Sequence, residues 1–289
     1  MPLKAVLVTG CSEGGIGAAL ALAVAKRGHH VFATARNTSK IPEELSALSS
    51  VTVLQLDITS ASSIAEAAKA VASSGRGLNA LINNAGAGYA TPILDLDVEK
   101  AQQLYDTNVW GPIRTIQAFA DPLIASRGAI VNISTVGAVL NTPWISAYAS
   151  SKAALINLSE TLRLELSPFG VSVLTVLVGI VDSHFHANDI ASNGTGFKLP
   201  PDSRYAAIED IIAGWASGES KPEGITAEQL AEQLVGDLIG EGKGGLVWKG
   251  PNAGTIRFAT KWLPGFLMDH LMSQNQGLHE LSEKVSKDE

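Results

Sequence analysis

Tyr148 and Lys152 stand four residues apart in the stretch Tyr148-Ala149-Ser150-Ser151-Lys152. At that spacing two side chains share one face of an α-helix. A phenol, with an ordinary pKa of about 10, is a weak acid at neutral pH. An ammonium close by favours the phenolate and draws that value toward working pH. Such a pair can give a proton to, or take one from, a substrate oxygen. A Tyr and a Lys at helical spacing are also common on helices with no chemistry at all, so the meaning of the pair depends on what lies upstream.

Upstream is a glycine-rich turn, Thr9-Gly10-Cys11-Ser12-Glu13-Gly14-Gly15-Ile16-Gly17, set between an apolar run and an alanine-rich stretch. Between a strand and a helix, such glycines let the backbone approach a pyrophosphate, which the helix N-terminus attracts. A turn that merely connects two elements is the plainer reading of glycines alone. After the second apolar run comes Thr34-Ala35-Arg36-Asn37. An acid there would hold the ribose hydroxyls of NAD, whereas Arg36 suits a 2′-phosphate, so NADP(H) is the expected cofactor. Asp57 follows the third run, placed to meet an adenine amino group or to cap the next helix. Asn83-Asn84-Ala85-Gly86 closes the fourth with small residues and amides, suited to close passage by a ribose or to a plain turn.

The elements that position these residues alternate. Apolar, β-branched runs at 5–9, 30–35, 52–55, 80–83, 129–133, 172–177 and 245–248 lack strict period-two alternation, which predicts strands covered on both faces. Helical patterns fill the intervals at 16–27, 62–73, 98–125 and 147–167. The expected fold is therefore α/β, a Rossmann-type, doubly wound, parallel seven-stranded sheet with helices on both faces. It forms one catalytic domain over 1–250, with a C-terminal extension over 251–289. A Gly/Ser/Pro-richer stretch, 184–223, interrupts the alternation and reads as a substrate loop or lid.

Bulk composition narrows the function. Of 289 residues, 46% are hydrophobic and 17% charged, which supports a large core and argues against disorder. A net charge of −7 argues against a nucleic-acid surface. The single cysteine, Cys11, leaves no internal disulfide and fits a reducing compartment. No signal-peptide h-region, spanning stretch or zinc-type ligand spacing is evident, so a cytoplasmic protein without a metal is expected.

Taken together, the chain resembles the short-chain dehydrogenase/reductase family over about 6–183, in the order and spacing of its motifs. The carriers are the 9–17 turn, Asp57, the 83–86 turn, Asn108, the 132–136 strand end, and Tyr148 with Lys152. The resemblance implies that Tyr148 is the general acid in reduction and the base in oxidation. Lys152 would lower its pKa and hold the nicotinamide ribose, and Asn108 would order a water in the proton relay. The hydroxyl that meets the substrate carbonyl is usually a serine thirteen residues before the tyrosine; that position is Thr135, with Ser134 as the alternative. Gly10, Ser12, Gly15, Ile16, Gly17, Arg36, Asp57, Asn84, Ala85 and Gly86 would surround the cofactor, together with Tyr148 and Lys152. The family turn usually has one residue fewer than 9–17, which leaves the path around Glu13 and Gly14 open. Val178 stands where the family has Pro, and Ser183 where it has Thr; the Val181 backbone and Ser183 hydroxyl would meet the nicotinamide amide and a phosphate.

The turn and the Arg36 strand end are similar to the branch with 17β-hydroxysteroid dehydrogenases and fungal 1-acyldihydroxyacetone-phosphate reductases, which implies a lipophilic carbonyl substrate. Isomerisation or dehydration on the same scaffold, and NADP(H) binding without turnover, are the competing readings. Trp144, His184, Phe185, His186 and Phe197 are expected to form the substrate pocket. The helices at 98–125 and 147–167 resemble the family's four-helix contact, which implies a homodimer or homotetramer. The tail carries Phe258, Trp262, Leu263, Phe266, Leu267, Met268, Leu271 and Met272. These would pack on the core by default, or else cover the pocket, join an interface or touch a membrane surface such as ER or lipid droplets.

Overall fold

The apolar runs form strands where the sequence places them. In this computed structural model, which describes residues 3–188, 196–239 and 244–288, the strands are β1 (Ala5–Val8), β2 (His30–Ala35), β3 (Val51–Gln55), β4 (Ala80–Asn83), β5 (Ala129–Thr135), β6 (Ser172–Val178), β7 (Val181–Asp182), β8 (Ile225–Thr226) and β9 (Gly245–Lys249). Seven make one parallel sheet in the order β3-β2-β1-β4-β5-β6-β9. The order reverses between β1 and β4, and ligands of such sheets bind beyond the strand ends at that crevice.

Alternate side chains of each strand enter opposite cores. Val6, Val8, Val31, Val131 and Val176 pack with Leu20 and Val24 of the helix Ile16–Lys26 and Leu230 and Leu234 of Ala227–Ile239. Leu7, Phe32, Leu81, Ile130 and Val173 face the other way, onto Ile64, Ala67 and Val71 of Ala61–Ser73 and Leu123 of Ala120–Ser126. Both faces are dry, which explains the continuous apolar runs.

Two helices set up the site. In Ser146–Leu166, Ala147, Ser151, Leu155 and Ser159 are buried at four-residue intervals, so this stripe lies on the sheet and carries Tyr148 and Lys152 beside it. The helix expected over 98–125 is interrupted. It runs as Val98–Tyr105, then a π-helical segment Asp106–Trp110, then Gly111–Ala118 and Ala120–Ser126. A π segment is rare and recurs at functional sites; this one holds Asn108.

The expected lid is tied at its base by β7 and β8, a two-stranded parallel ribbon that sequence reading does not anticipate. An ion pair between Lys221 and Asp182 adds to the tie. Residues 189–195 of that segment lie outside the described residues. The C-terminal extension forms three helices, Ala253–Trp262, Gly265–Ser273 and Leu278–Asp288. Among the described residues no helix is long and apolar enough to cross a membrane, and no cluster of potential metal ligands occurs.

Candidate active site

A cleft of about 1940 Å³ opens along the carboxyl ends of the strands. That exceeds the ~300–1,000 Å³ usual for one small ligand, so it has room for a dinucleotide and a second molecule. Gly10, Ser12, Gly15, Ile16, Arg36, Asp57, Asn84, Ala85 and Gly86 line one part of it, and Val181 and Ser183 contribute from beyond β6. Thr135, Tyr148 and Lys152 line it at the catalytic helix. Gly17 and Asn108 do not border the cleft; they stand behind its wall.

The glycine-rich turn is built into the neighbouring strand end. A Cβ on Gly17 would lie 2.4 Å from both Asn84 Nδ2 and the Gly10 carbonyl, so only glycine fits there. Asn84 Nδ2 donates to the Thr9 carbonyl at 2.9 Å, while Thr9 Oγ1 accepts from the backbone N–H groups of Asn84 and Ala85, each at 3.0 Å. Thr9, within the motif yet outside the expected contact set, is thus the joint between β1 and β4. The extra residue in the turn is carried outward: the Glu13 N–H donates to the Lys40 carbonyl at 2.8 Å. Gly14 follows with φ of 68°, a left-handed conformation, and the imidazole of His184 sits where its Cβ would be, 2.4 Å away. The His184 N–H donates to the Gly14 carbonyl at 3.1 Å, and its Nδ1 lies 3.2 Å from the Glu13 carbonyl. Start of lid and glycine turn are therefore pinned to each other.

Arg36 is exposed at the mouth, with Asn37 and Lys40 beside it along the cleft. Asp57 Oδ1 accepts from Thr59 N–H at 2.9 Å and Thr59 Oγ1 at 2.7 Å. It shapes the loop; the helix cap is Ser60, whose Oγ accepts from the Ser63 N–H. Cys11 is buried, and burial pushes its thiol up to about 12, so it is no nucleophile.

Beside the helix Ser146–Leu166, Thr135 lies close enough to Tyr148 for its hydroxyl to favour the phenolate, while Thr135 Oγ1 donates to the Val178 carbonyl at 3.4 Å. Thr135 Oγ1 also accepts from the Gly137 N–H at 3.1 Å. Ser134 also borders the cleft but is buried, with its Oγ donating to the Lys152 carbonyl at 3.3 Å. Lys152 is only 5% exposed, and its Nζ donates to the Ile133 carbonyl at 3.0 Å. Burial lowers its pKa to about 8. The sequence reading has Lys152 drawing the phenol pKa down. The balance is the reverse: burial of the Tyr148 hydroxyl raises its pKa, and the nearby Thr135 hydroxyl only partly offsets this.

Asn108 is fully buried. Its Oδ1 accepts from the Ala87 N–H at 2.9 Å, and its Nδ2 donates to the Ala87 carbonyl and Ser151 Oγ, both at 3.0 Å. These bonds clamp the β4 loop to the helix Ser146–Leu166. Lys152 Nζ and Asn108 Oδ1 converge on Gly86, at 3.4 and 3.2 Å from where its Cβ would stand. A buried chain of side chains continues inward from Thr115 through Asn83 and Asn132 to Ser159, with bonds of 2.7–2.8 Å.

Of the expected substrate-pocket residues, His184, Phe185 and His186 line the cleft. The Phe185 ring stands 5.4 Å from that of Tyr148. Trp144 and Phe197 do not; they pack behind it with Ile208 and Ile212, because Trp144 is drawn into an aromatic cluster with Tyr205. The tail divides. Leu271 and Met272 line the cleft, as do Gln274 and Gln276, which sequence reading missed. Phe258, Trp262 and Phe266 remain 63–70% exposed instead of packing on the core.

Residues 4–193 match the family pattern described as short chain dehydrogenase. The chain belongs to the short-chain dehydrogenase family. As a short-chain dehydrogenase it is 43% identical, over 96% of its length and 100% of the relative's, to a short-chain dehydrogenase of Penicillium ochrochloron. It is 37% identical to the NADPH-dependent 1-acyldihydroxyacetone phosphate reductase of Schizosaccharomyces pombe, over 83% of this chain and 80% of that one. Among solved structures, a short chain dehydrogenase from Burkholderia cenocepacia in complex with NADP superposes with a TM-score of 0.72 at 26% identity, covering 93% and 97% of the two chains. One from Streptomyces avermitilis does so with a TM-score of 0.74 at 28% identity, covering 99% and 98%.

Proposed function

We propose that this short-chain dehydrogenase reduces a ketone or aldehyde on a lipophilic small molecule to the alcohol, using NADPH. The observation that carries the reading is the Thr135–Tyr148–Lys152 grouping on a cleft large enough for cofactor and substrate together. The tight turn between β1 and its helix, with backbone packed against Asn84, fits a pyrophosphate. Arg36, with Lys40 beside it, supplies cationic charge suited to a 2′-phosphate. The NADP-bound neighbour and the NADPH-dependent relative support the same choice.

A nicotinamide cofactor held in this cleft would supply the hydride for the carbonyl carbon. Tyr148 gives its proton to the carbonyl oxygen as charge develops there, and Thr135 orients that oxygen. Lys152 would hold the nicotinamide ribose and, as an ammonium, stabilise the phenolate that Tyr148 becomes. Asn108 acts through Ala87 and Ser151, keeping loop and helix in register. Val181 and Ser183, which line the cleft, would meet the nicotinamide amide and a phosphate.

Phe185, Ile145, Leu271 and Met272 make the substrate side predominantly apolar, which supports a lipophilic substrate. Exposed Phe258, Trp262 and Phe266, next to Arg257 and Lys261, extend the reading to a cytoplasmic protein with peripheral lipid contact, at ER or lipid droplets. Liposome flotation tests that contact. A homodimer or homotetramer through the catalytic helix, where Leu158 and Leu164 are exposed, belongs to the same reading, and light scattering tests it. The reaction is tested by following nicotinamide absorbance with NADPH or NADH against a panel of lipid ketones, steroids and aromatic polyketides. NADPH is expected to be oxidised faster, and Arg36→Ala to erase that preference; equal use of NADH by the unmodified enzyme would contradict the cofactor assignment.

A further inference from the structure

Tyr148 stands in the first turn of the helix Ser146–Leu166, and that turn lacks the usual anchor. The residue before it, Ile145, makes no side-chain cap. The first hydrogen bond of the helix, from the Ala149 N–H to the Ile145 carbonyl at 2.8 Å, comes only after Tyr148. An uncapped first turn frays, since its leading N–H groups have no acceptor within the helix. A proton donor needs the opposite, because a displacement of about 1 Å can cost about a hundredfold in rate.

Trp144, two residues before the helix begins, is held unusually firmly. Its φ of 69° is left-handed, a conformation that costs a bulky residue free energy and persists only where the surroundings enforce it. Three separate parts of the chain do so. From the loop after β4, the Thr91 N–H donates to the Trp144 carbonyl at 2.6 Å. From the segment over 184–223, the Tyr205 ring meets the indole edge-on at 5.4 Å, and Ile208 and Ile212 belong to the same cluster. From the tail, the Gln276 carbonyl accepts from the indole Nε1–H at 3.1 Å. A further bond ties the tail to the loop that carries Trp144, with Asn141 Nδ2 donating to Asp269 Oδ1 at 2.9 Å. Trp144 is buried and does not border the cleft, so it acts on the site through the backbone that follows it.

We propose that Trp144 is the positioning residue for Tyr148. It stands in for the missing cap and passes the hold of three elements to the turn that carries the proton donor. The role rests on the reductase reading for its chemistry, while the anchoring is measurable without turnover. In the full chain, Trp144→Phe keeps a ring beside Tyr205 and removes the donor to Gln276. Amide exchange at Ala147 and Tyr148 is expected to quicken about tenfold, the scale of one buried hydrogen bond. With NADPH and the best ketone of the panel, kcat should fall about tenfold at unchanged NADPH affinity. The solvent deuterium isotope effect on kcat should rise, since proton transfer is the step that suffers; a mere loss of folded enzyme would leave it where it was. In a Tyr148→Phe background the same substitution should cost nothing further. Tyr205→Leu withdraws one support without touching Trp144, and carries the same readings where a melting curve shows the tryptophan variant unfolded. Exchange equal to that of the parent chain, an unchanged isotope effect, or a full further loss on top of Tyr148→Phe would overturn the proposal. A parent chain that turns over no ketone would sink the reductase reading, and the exchange comparison would still decide the anchoring.

Discussion

At the residue scale, the opposing pKa shifts of Tyr148 and Lys152 fix how the site responds to pH. The Tyr148 pKa is raised by burial, so the phenol keeps its proton through the neutral range and is ready to donate. The Lys152 pKa is lowered to about 8, so its ammonium is present below that pH and lost above it. Reduction is expected to be level through neutrality and to fall as pH passes about 8. Oxidation of the alcohol, which needs the phenolate, should instead gain with rising pH until the lysine charge is lost. Initial rates in both directions from pH 6 to 10 check this, and a reductive rate that climbs above pH 8 would contradict it. Thr135→Val, which keeps the shape and removes the hydroxyl, should lower kcat about a hundredfold, the scale of one lost donor to a developing oxyanion. Thr135→Ser should restore most of it. The Tyr148–Lys152 pair was legible in the sequence because a four-residue spacing survives into the helix unchanged, whereas Thr135 was placed only through the family resemblance. The clamp made by the Asn108 side chain was not legible. Its carboxamide is aimed by the π-helical segment at Ala87 and Ser151, and one extra backbone residue in a turn leaves no mark on hydrophobic periodicity.

At the scale of elements, the sheet was readable almost strand for strand. Burial on both faces demands unbroken apolar runs, and Val6–Leu7–Val8 or Val173–Leu174 deliver them to two cores at once. The ribbon β7–β8 was not readable, since two residues per strand carry no pattern. Nor was the contact between the start of the lid and the glycine turn. Glu13 turns outward onto the Lys40 carbonyl, Gly14 takes a left-handed conformation, and His184 fills the space above it. This contact predicts a specific weakness. In Gly14→Ala the new methyl would collide with the His184 ring at a φ that alanine disfavours. NADPH affinity, read by fluorescence titration, is expected to fall about tenfold. Because His184 neighbours Phe185, which faces Tyr148, the KM for ketone should rise with it. Unchanged NADPH affinity would mean that the turn does not hold the cofactor.

Considered whole, the molecule is a sheet edge bearing a large cleft, to whose far side the 184–223 segment and the tail add lining residues. The cofactor half is written in short motifs because one strand end supplies each part. The far wall of the cleft is dispersed: Phe185, Trp215, Met272 and Gln276 come from separate elements with no common period, so their meeting appears only in three dimensions. Truncation after Pro264 removes Leu271, Met272 and Gln276 from the cleft and spares every strand end. It should raise the KM for a bulky ketone at least about tenfold with little change in NADPH affinity, as steady-state kinetics and fluorescence titration on the same sample will show. Comparable loss of both would mean that the tail supports the whole sheet edge and not only the substrate wall.

The central claim is that Tyr148 delivers the proton that completes carbonyl reduction, and Tyr148→Phe tests it most directly. The substitution keeps the ring packed beside Phe185 and removes only the hydroxyl. With NADPH and the best ketone of the panel, turnover is expected to fall by at least about a hundredfold, the lower end of what a positioned proton donor contributes. The melting temperature and NADPH affinity should stay close to those of the unmodified enzyme. Near-normal turnover in a folded, NADPH-binding Tyr148→Phe variant would contradict the account.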